Sequence, residues 1–74
     1  MAIFDVWLEG YVTNGDRSKA TFMGRQDGED FDDACLRATV KKGWDMSYYK
    51  SGNPPTYWAC RYYDNETDAR KVFG

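Results

Sequence analysis

Between residues 2 and 12 apolar and polar side chains alternate with period two: Phe4, Val6, Leu8 and Val12 point one way, and Asp5, Trp7, Glu9 and Tyr11 the other. This pattern predicts a half-buried strand. The segment Thr13-Asn14-Gly15-Asp16 follows, and its Asn-Gly pair tolerates positive φ at both central positions of a tight turn. Alternation resumes from Lys19 to Arg25, with Ala20, Phe22 and Gly24 on the inner side and Lys19, Thr21, Met23 and Arg25 on the outer. The first two strands are therefore expected to form an antiparallel hairpin.

Asp27-Gly28 interrupts the pattern, and Asp30 is suited to cap a helix because its carboxylate can accept from the free amides of the first turn. The helix is expected from Phe31 to Lys42, with Asp32 and Asp33 at its positive end, Lys41 and Lys42 at its negative end and Gly43 closing it. Phe31, Ala34, Cys35 and Ala38 share one face. Leu36 and Val40 lie on nearly the opposite side, so the helix is either buried twice or presents a small apolar spot. Trp44 to Tyr49 reads as a third strand, Lys50-Ser51-Gly52-Asn53-Pro54-Pro55 as a loop, and Thr56 to Tyr63 as a fourth strand. Asp64 or Asn65 then caps a short closing helix through Glu66 and Asp68, with Ala69, Val72 and Phe73 inside and Arg70 and Lys71 near its end.

The expected order is ββαββα: an α+β two-layer sandwich with a four-stranded antiparallel sheet and two helices on one face. Gly24-Arg25 and Asp30-x-x-Asp33-Ala34 are echoed by Cys60-Arg61 and Asn65-x-x-Asp68-Ala69, which fits a duplicated ββα unit. Helix starts draw on the same few capping residues, so the echo has a second explanation.

Size sharpens this expectation. A chain of 74 residues buries only about 60% of the surface its unfolded form exposes, so residues 1–74 make one domain with one modest core. The two cysteines are too few for a disulfide scaffold, and no charged and apolar leader precedes the first strand, which points to a reducing cytoplasm. No apolar run approaches the ~20 residues of a membrane span, so a membrane partner is not expected. Ten basic and twelve acidic side chains leave a net charge of −2, which gives no overall field to hold a polyanion.

The chain has no histidine, which removes the usual general base, the usual metal ligand and the usual partner of a nucleophilic cysteine or serine. No catalytic residue, no cofactor and no metal site is expected, and the chain reads as a non-enzyme. Cys35 and Cys60 fall among apolar neighbours and read as small buried hydrophobes, without the CxxC spacing of a zinc site. The acidic run from Asp27 to Asp33 lacks the sixth-position glycine and the distal glutamate of a calcium loop. It suits a helix start, and Asp30, Asp32 and Asp33 could also meet a basic partner. Asn65-Glu66-Thr67 matches a glycosylation sequon but reads as a helix cap, and no Gly-rich phosphate loop follows any strand.

Thirteen residues are aromatic, too many for so short a chain to hide. If both helices cover one face of the sheet, Trp7, Tyr11, Met23 and Arg25 lie on the other. The second hairpin carries aromatics on both of its faces, Tyr57, Arg61 and Tyr63 on one and Trp58, Cys60 and Tyr62 on the other. Cys60 favours the latter set inward, which adds Tyr57, Arg61 and Tyr63 to the open face. These residue types are enriched at protein interfaces. They also pair across strands merely to shield a thin sheet, or act as a stacking platform for single-stranded nucleic acid with Lys19, Arg25 and Arg61 on the phosphates. The acidic balance makes direct nucleic-acid binding the lesser alternative.

The ending Tyr57-Trp58-Ala59-Cys60-Arg61, followed by Asp64-Asn65-Glu66-Thr67-Asp68-Ala69-Arg70-Lys71-Val72-Phe73-Gly74, looks like that of short bacterial and phage reading frames. In size, acidity and lack of catalytic residues the chain resembles anti-CRISPR and other anti-defence proteins of phages. The resemblance is one of type, and no functional residue carries over from it. It implies a stoichiometric inhibitor in the host cytoplasm that occupies the surface of a host protein or nucleoprotein complex. Apart from the resemblance, a second copy of the chain is a further candidate partner.

Overall fold

The structure is a computed structural model that describes residues 2–13 and 16–71, and of residues 11–18 only the backbone. Asn14 and Gly15 of the expected turn, the side chain of Tyr11, and Val72 and Phe73 lie outside the described residues. The chain is an α+β domain in which strands β1 (Ala2–Leu8), β4 (Thr21–Gly28), β5 (Tyr49–Lys50), β6 (Thr56–Tyr57) and β7 (Cys60–Tyr63) form one antiparallel sheet. Its order is β4-β1-β7-β6-β5. Strands β2 (Tyr11–Thr13) and β3 (Asp16–Ser18) pair separately as a two-stranded ribbon. Helices α1 (Phe31–Lys41) and α2 (Glu66–Ala69) complete it. The sheet thus has five strands rather than four, and the ββαββα order does not describe it.

The expected first strand is divided at Glu9 and Gly10. There the Glu9 amide donates to the Arg61 carbonyl (2.9 Å), and the Glu9 carboxylate accepts from the Arg61 amide (2.8 Å). A side chain therefore takes over one rung of the ladder, and the chain leaves the sheet for the ribbon. The expected hairpin survives in outline, because β1 and β4 pair antiparallel on either side of that ribbon.

Within this pair the register shifts between Val6, opposite Gly24, and Trp7, opposite Phe22. The extra residue is Met23. Gly24 takes φ +111°, which a side chain would disfavour, and this bulge reverses the facing of the strand's first half. Phe22 consequently turns outward, whereas strict alternation placed it inward, and Met23 turns into the core.

Trp44 to Tyr49 is not a strand. The Asp45 carboxylate accepts from the Ser47 amide (3.0 Å) and starts a 3₁₀ turn over Met46–Tyr48, leaving only Tyr49–Lys50 to pair. The expected fourth strand breaks into β6 and β7, since Trp58 (φ 51°) and Ala59 (φ 67°) form a two-residue turn between Tyr57 and its direct partner Cys60. Both central residues with positive φ make this a primed hairpin turn, the kind whose twist matches the strands it joins.

Capping chemistry positions both helices. The Asp30 carboxylate accepts from the Asp33 amide (2.8 Å), and Gly43 closes α1 with φ +76°. Asn65 accepts from the Asp68 amide (2.8 Å) at the start of α2. Helix α1 lays Ala34, Cys35 and Ala38 against Val6, Leu8, Met23, Cys60 and Tyr62, with Phe4 and Phe31 meeting edge-on at 5.6 Å. Leu36 and Val40 stay exposed on its far side and form the apolar spot. Helix α2 contacts β7 and β1, and its C-cap Arg70 lies over the ring of Trp7 on the face opposite α1. Among the described residues no helix is long and apolar enough to cross a membrane.

Both cysteines are free thiols in the core, and burial raises the pKa of each. The native protein should therefore leave both unlabelled by a bulky aromatic disulfide at pH 8 over a time in which the guanidinium-unfolded chain reacts completely. Prompt labelling of either thiol in the folded protein would show that its site is open.

Candidate functional site

The structure separates the residues that the sequence placed on one sheet face. Trp7, Arg25, Arg61 and Tyr63 do point away from α1: Trp7 pairs directly with Tyr63, and Arg25 faces Asp5 across the strands with an ion pair of 2.9 Å. The indole of Trp7 is covered on this side by Phe22 (4.9 Å between rings) and by Arg70 (5.7 Å). Met23 is in the core at 6% exposure, a consequence of the bulge. Tyr57 leaves the set as well. The turn at Trp58-Ala59 sets it opposite Cys60, on the core side, where strict alternation along an unbroken strand placed it with Arg61. Trp58, expected inward beside Cys60, is 55% exposed at the turn.

The acidic residues serve the helix start. Asp30 caps α1; Asp33 accepts from the Glu29 amide (3.1 Å) and pairs with Arg37 one turn on (3.1 Å). The Glu29 amide, aided by Arg37, holds the Asp33 carboxyl below the usual range. Asp32 receives the phenol proton of Tyr49 at both its carboxylate and its carbonyl oxygen, which ties α1 to β5. Among the described residues no group of three or more potential metal ligands comes together.

The constellation that the sequence did not reveal is a cleft of about 320 Å³ between the 3₁₀ turn and the β6–β7 hairpin, lined by Leu8, Trp44, Asp45, Tyr57, Trp58 and Cys60. Buried Leu8 and Cys60 form the apolar part of the lining. The rings of Trp44 and Tyr57 meet at 5.1 Å and 48°, and Tyr48 stands against Tyr57 at 6.1 Å. The Tyr57 hydroxyl donates to the Asp45 carbonyl (2.9 Å), while the Ser47 amide on the Asp45 carboxylate holds that group below its usual pKa. The turn is anchored by the Trp58 amide, which donates to the Tyr48 carbonyl (3.1 Å).

The conformation of this turn carries a cost. A left-handed backbone costs an ordinary residue about 1–2 kcal/mol, and bulky residues adopt it rarely. Here a tryptophan and an alanine adopt it where Asn-Gly would do so freely. The absence of glycine or asparagine is also why the turn could not be read from the sequence. The carboxylate escaped notice because Asp45-x-Ser47 is a three-residue turn signal inside an apparently alternating run.

Chemically, the cleft offers aromatic surface and the carboxylate of Asp45, and no histidine. Compared with protein-family models, curated proteins and solved structures, the chain finds no match in any of the three.

Proposed function

We propose that the chain is a non-enzymatic protein-binding module that inhibits by covering a partner's surface, with the cleft and Trp58 as its contact. The single observation that carries this reading is the exposed Trp58, held at positive φ on the rim of an aromatic cleft. Strain of this kind persists where the surrounding structure imposes it, and it concentrates at binding and catalytic sites. Exposed tryptophan beside an apolar pocket is also the residue type that anchors protein interfaces most strongly. The partner class, a host defence or nucleic-acid-processing complex, comes from the resemblance to anti-defence proteins.

Direct nucleic-acid binding remains the rival. Three arginines are each neutralised by a carboxylate: Arg25 by Asp5, Arg37 by Asp33 and Arg70 by Glu66. The cleft itself bears a carboxylate, which repels phosphate. Both features favour protein over nucleic acid.

Replacing Trp58→Asn together with Ala59→Gly supplies the turn with residues at ease in its conformation. The expected result is a domain more stable to urea by about 1–2 kcal/mol that no longer captures from bacterial lysate the protein held by the tagged parent chain. Unchanged capture would move the contact elsewhere. Salt-sensitive binding of a single-stranded oligonucleotide by both forms, with no captured protein, would establish the rival.

A further inference from the structure

The rings and the carboxylate of the cleft suit one chemical class of ligand better than others. The faces of Trp and Tyr rings are electron-rich and attract a cation placed over them, tryptophan most of all. Trp44, Tyr57 and Trp58 place three such residues in the lining of one cleft, together with the apolar side chains of Leu8 and Cys60. Asp45 adds a full negative charge to the same lining. It accepts from the Ser47 amide, and among the described residues no lysine or arginine forms an ion pair with it. An anion would meet that carboxylate unfavourably. A neutral apolar group would gain contact with the rings and leave the charge unanswered.

We propose that the cleft binds an alkylammonium group on an apolar stem, with its charge shared between the three ring faces and the Asp45 carboxylate. The stem then lies against Leu8 and Cys60, as the methylenes of a lysine do when the charged end reaches a polar partner. The group has two possible sources, a lysine side chain of a protein partner, free or methylated, and a free quaternary amine. The first deepens the protein-binding reading by naming the group on the partner, and to that extent rests on it.

The test uses the isolated chain and needs no partner. Choline, its neutral isostere 3,3-dimethylbutan-1-ol, and blocked lysine and trimethyl-lysine are titrated while the indole N–H resonances of Trp7, Trp44 and Trp58 are followed. Choline and both blocked lysines should shift Trp44 and Trp58 in a saturable way and leave Trp7 in place, with the neutral isostere at least about fivefold weaker. Asp45→Asn keeps an oxygen for the Ser47 amide and so keeps the turn. It should weaken choline three- to tenfold and leave the isostere unchanged. A response to choline but to neither blocked lysine would assign the site to a free amine and detach it from the protein-binding reading. Equal affinity for choline and its isostere, no saturable shift with any cation, or an Asp45→Asn variant that binds choline as the parent does would overturn the proposal. Because these outcomes are read without a partner, they are independent of whether Trp58 is needed for capture from lysate.

Discussion

Replacing Tyr62→Ala should cost the domain about 3–5 kcal/mol, a large share of its total stability, while Tyr62→Phe should cost only about 1 kcal/mol. Tyr62 is the largest fully buried side chain in the described structure. It sits on β7 between β1 and β6, opposite Leu8, with its ring 5.8 Å from that of Tyr49. Its hydroxyl bonds the Thr39 hydroxyl, which itself donates to the Cys35 carbonyl (2.8 Å) one turn back in α1. Removing the ring empties the middle of the core, and truncation of a buried aromatic to alanine costs about 3–5 kcal/mol. A domain of this length has a total stability of roughly 4–11 kcal/mol at about 0.05–0.15 kcal/mol per residue. The phenylalanine variant keeps the packing, and Thr39 retains its acceptor in Cys35, so only the net worth of one hydrogen bond is lost. Urea titrations followed by tryptophan fluorescence measure both. A cooperative transition for Tyr62→Ala within about 1 kcal/mol of the parent would mean that the ring does not hold the sheet to α1.

What could be read from the sequence divides by the range of the interaction that fixes each element. Both helices were legible, because a cap is a local event: Asp30 and Asn65 accept amide protons three residues on, and a reader of the chain sees both partners at once. Cys60 and Tyr62 were placed inward by their company alone, and the structure buries both. The sheet was harder, because three small departures from period two change the facing or the type of the residues beside them. The bulge at Gly24 sends Met23 inward and Phe22 outward; the turn at Trp58-Ala59 brings Tyr57 to the core side; and the Asp45 cap converts most of a strand into a 3₁₀ turn. Two of these departures, at Asp45 and at Trp58, border the cleft. The site was therefore hidden for the same physical reason that the strands were misdrawn. Its residues occupy the places where local backbone chemistry overrides alternation. The pairing of β1 with β7 arises from a contact between distant parts of the chain, of which a single sequence carries no local mark.

Adding one methyl group at Gly28 should cost the domain at least about 2–3 kcal/mol, more than the same change at Gly43. Gly28 ends β4 where the chain turns into α1, and it is buried. A Cβ there would stand 2.6 Å from the Ala34 amide nitrogen and 3.0 Å from both the Ala34 Cα and the Asp30 carbonyl oxygen. All three are backbone atoms of the helix start, so no side-chain rotation relieves the clash, and α1 must move away from the sheet as a body. At Gly43 a Cβ meets open space, and the expected loss is the roughly 1 kcal/mol of forcing alanine to φ +76°. The displacement at Gly28 should reach the cleft. Asp32, in the first turn of α1, holds the Tyr49 hydroxyl, and Tyr49 pairs with Tyr57 in the cleft wall. Urea midpoints of Gly28→Ala and Gly43→Ala give the two stabilities, and the indole resonances of Trp44 and Trp58 report the cleft. The order Gly28 costlier than Gly43, with Trp44 or Trp58 shifted only in the former, is the expected outcome. A Gly28→Ala variant within about 0.5 kcal/mol of the parent would mean that α1 is not seated against the end of β4 at that distance.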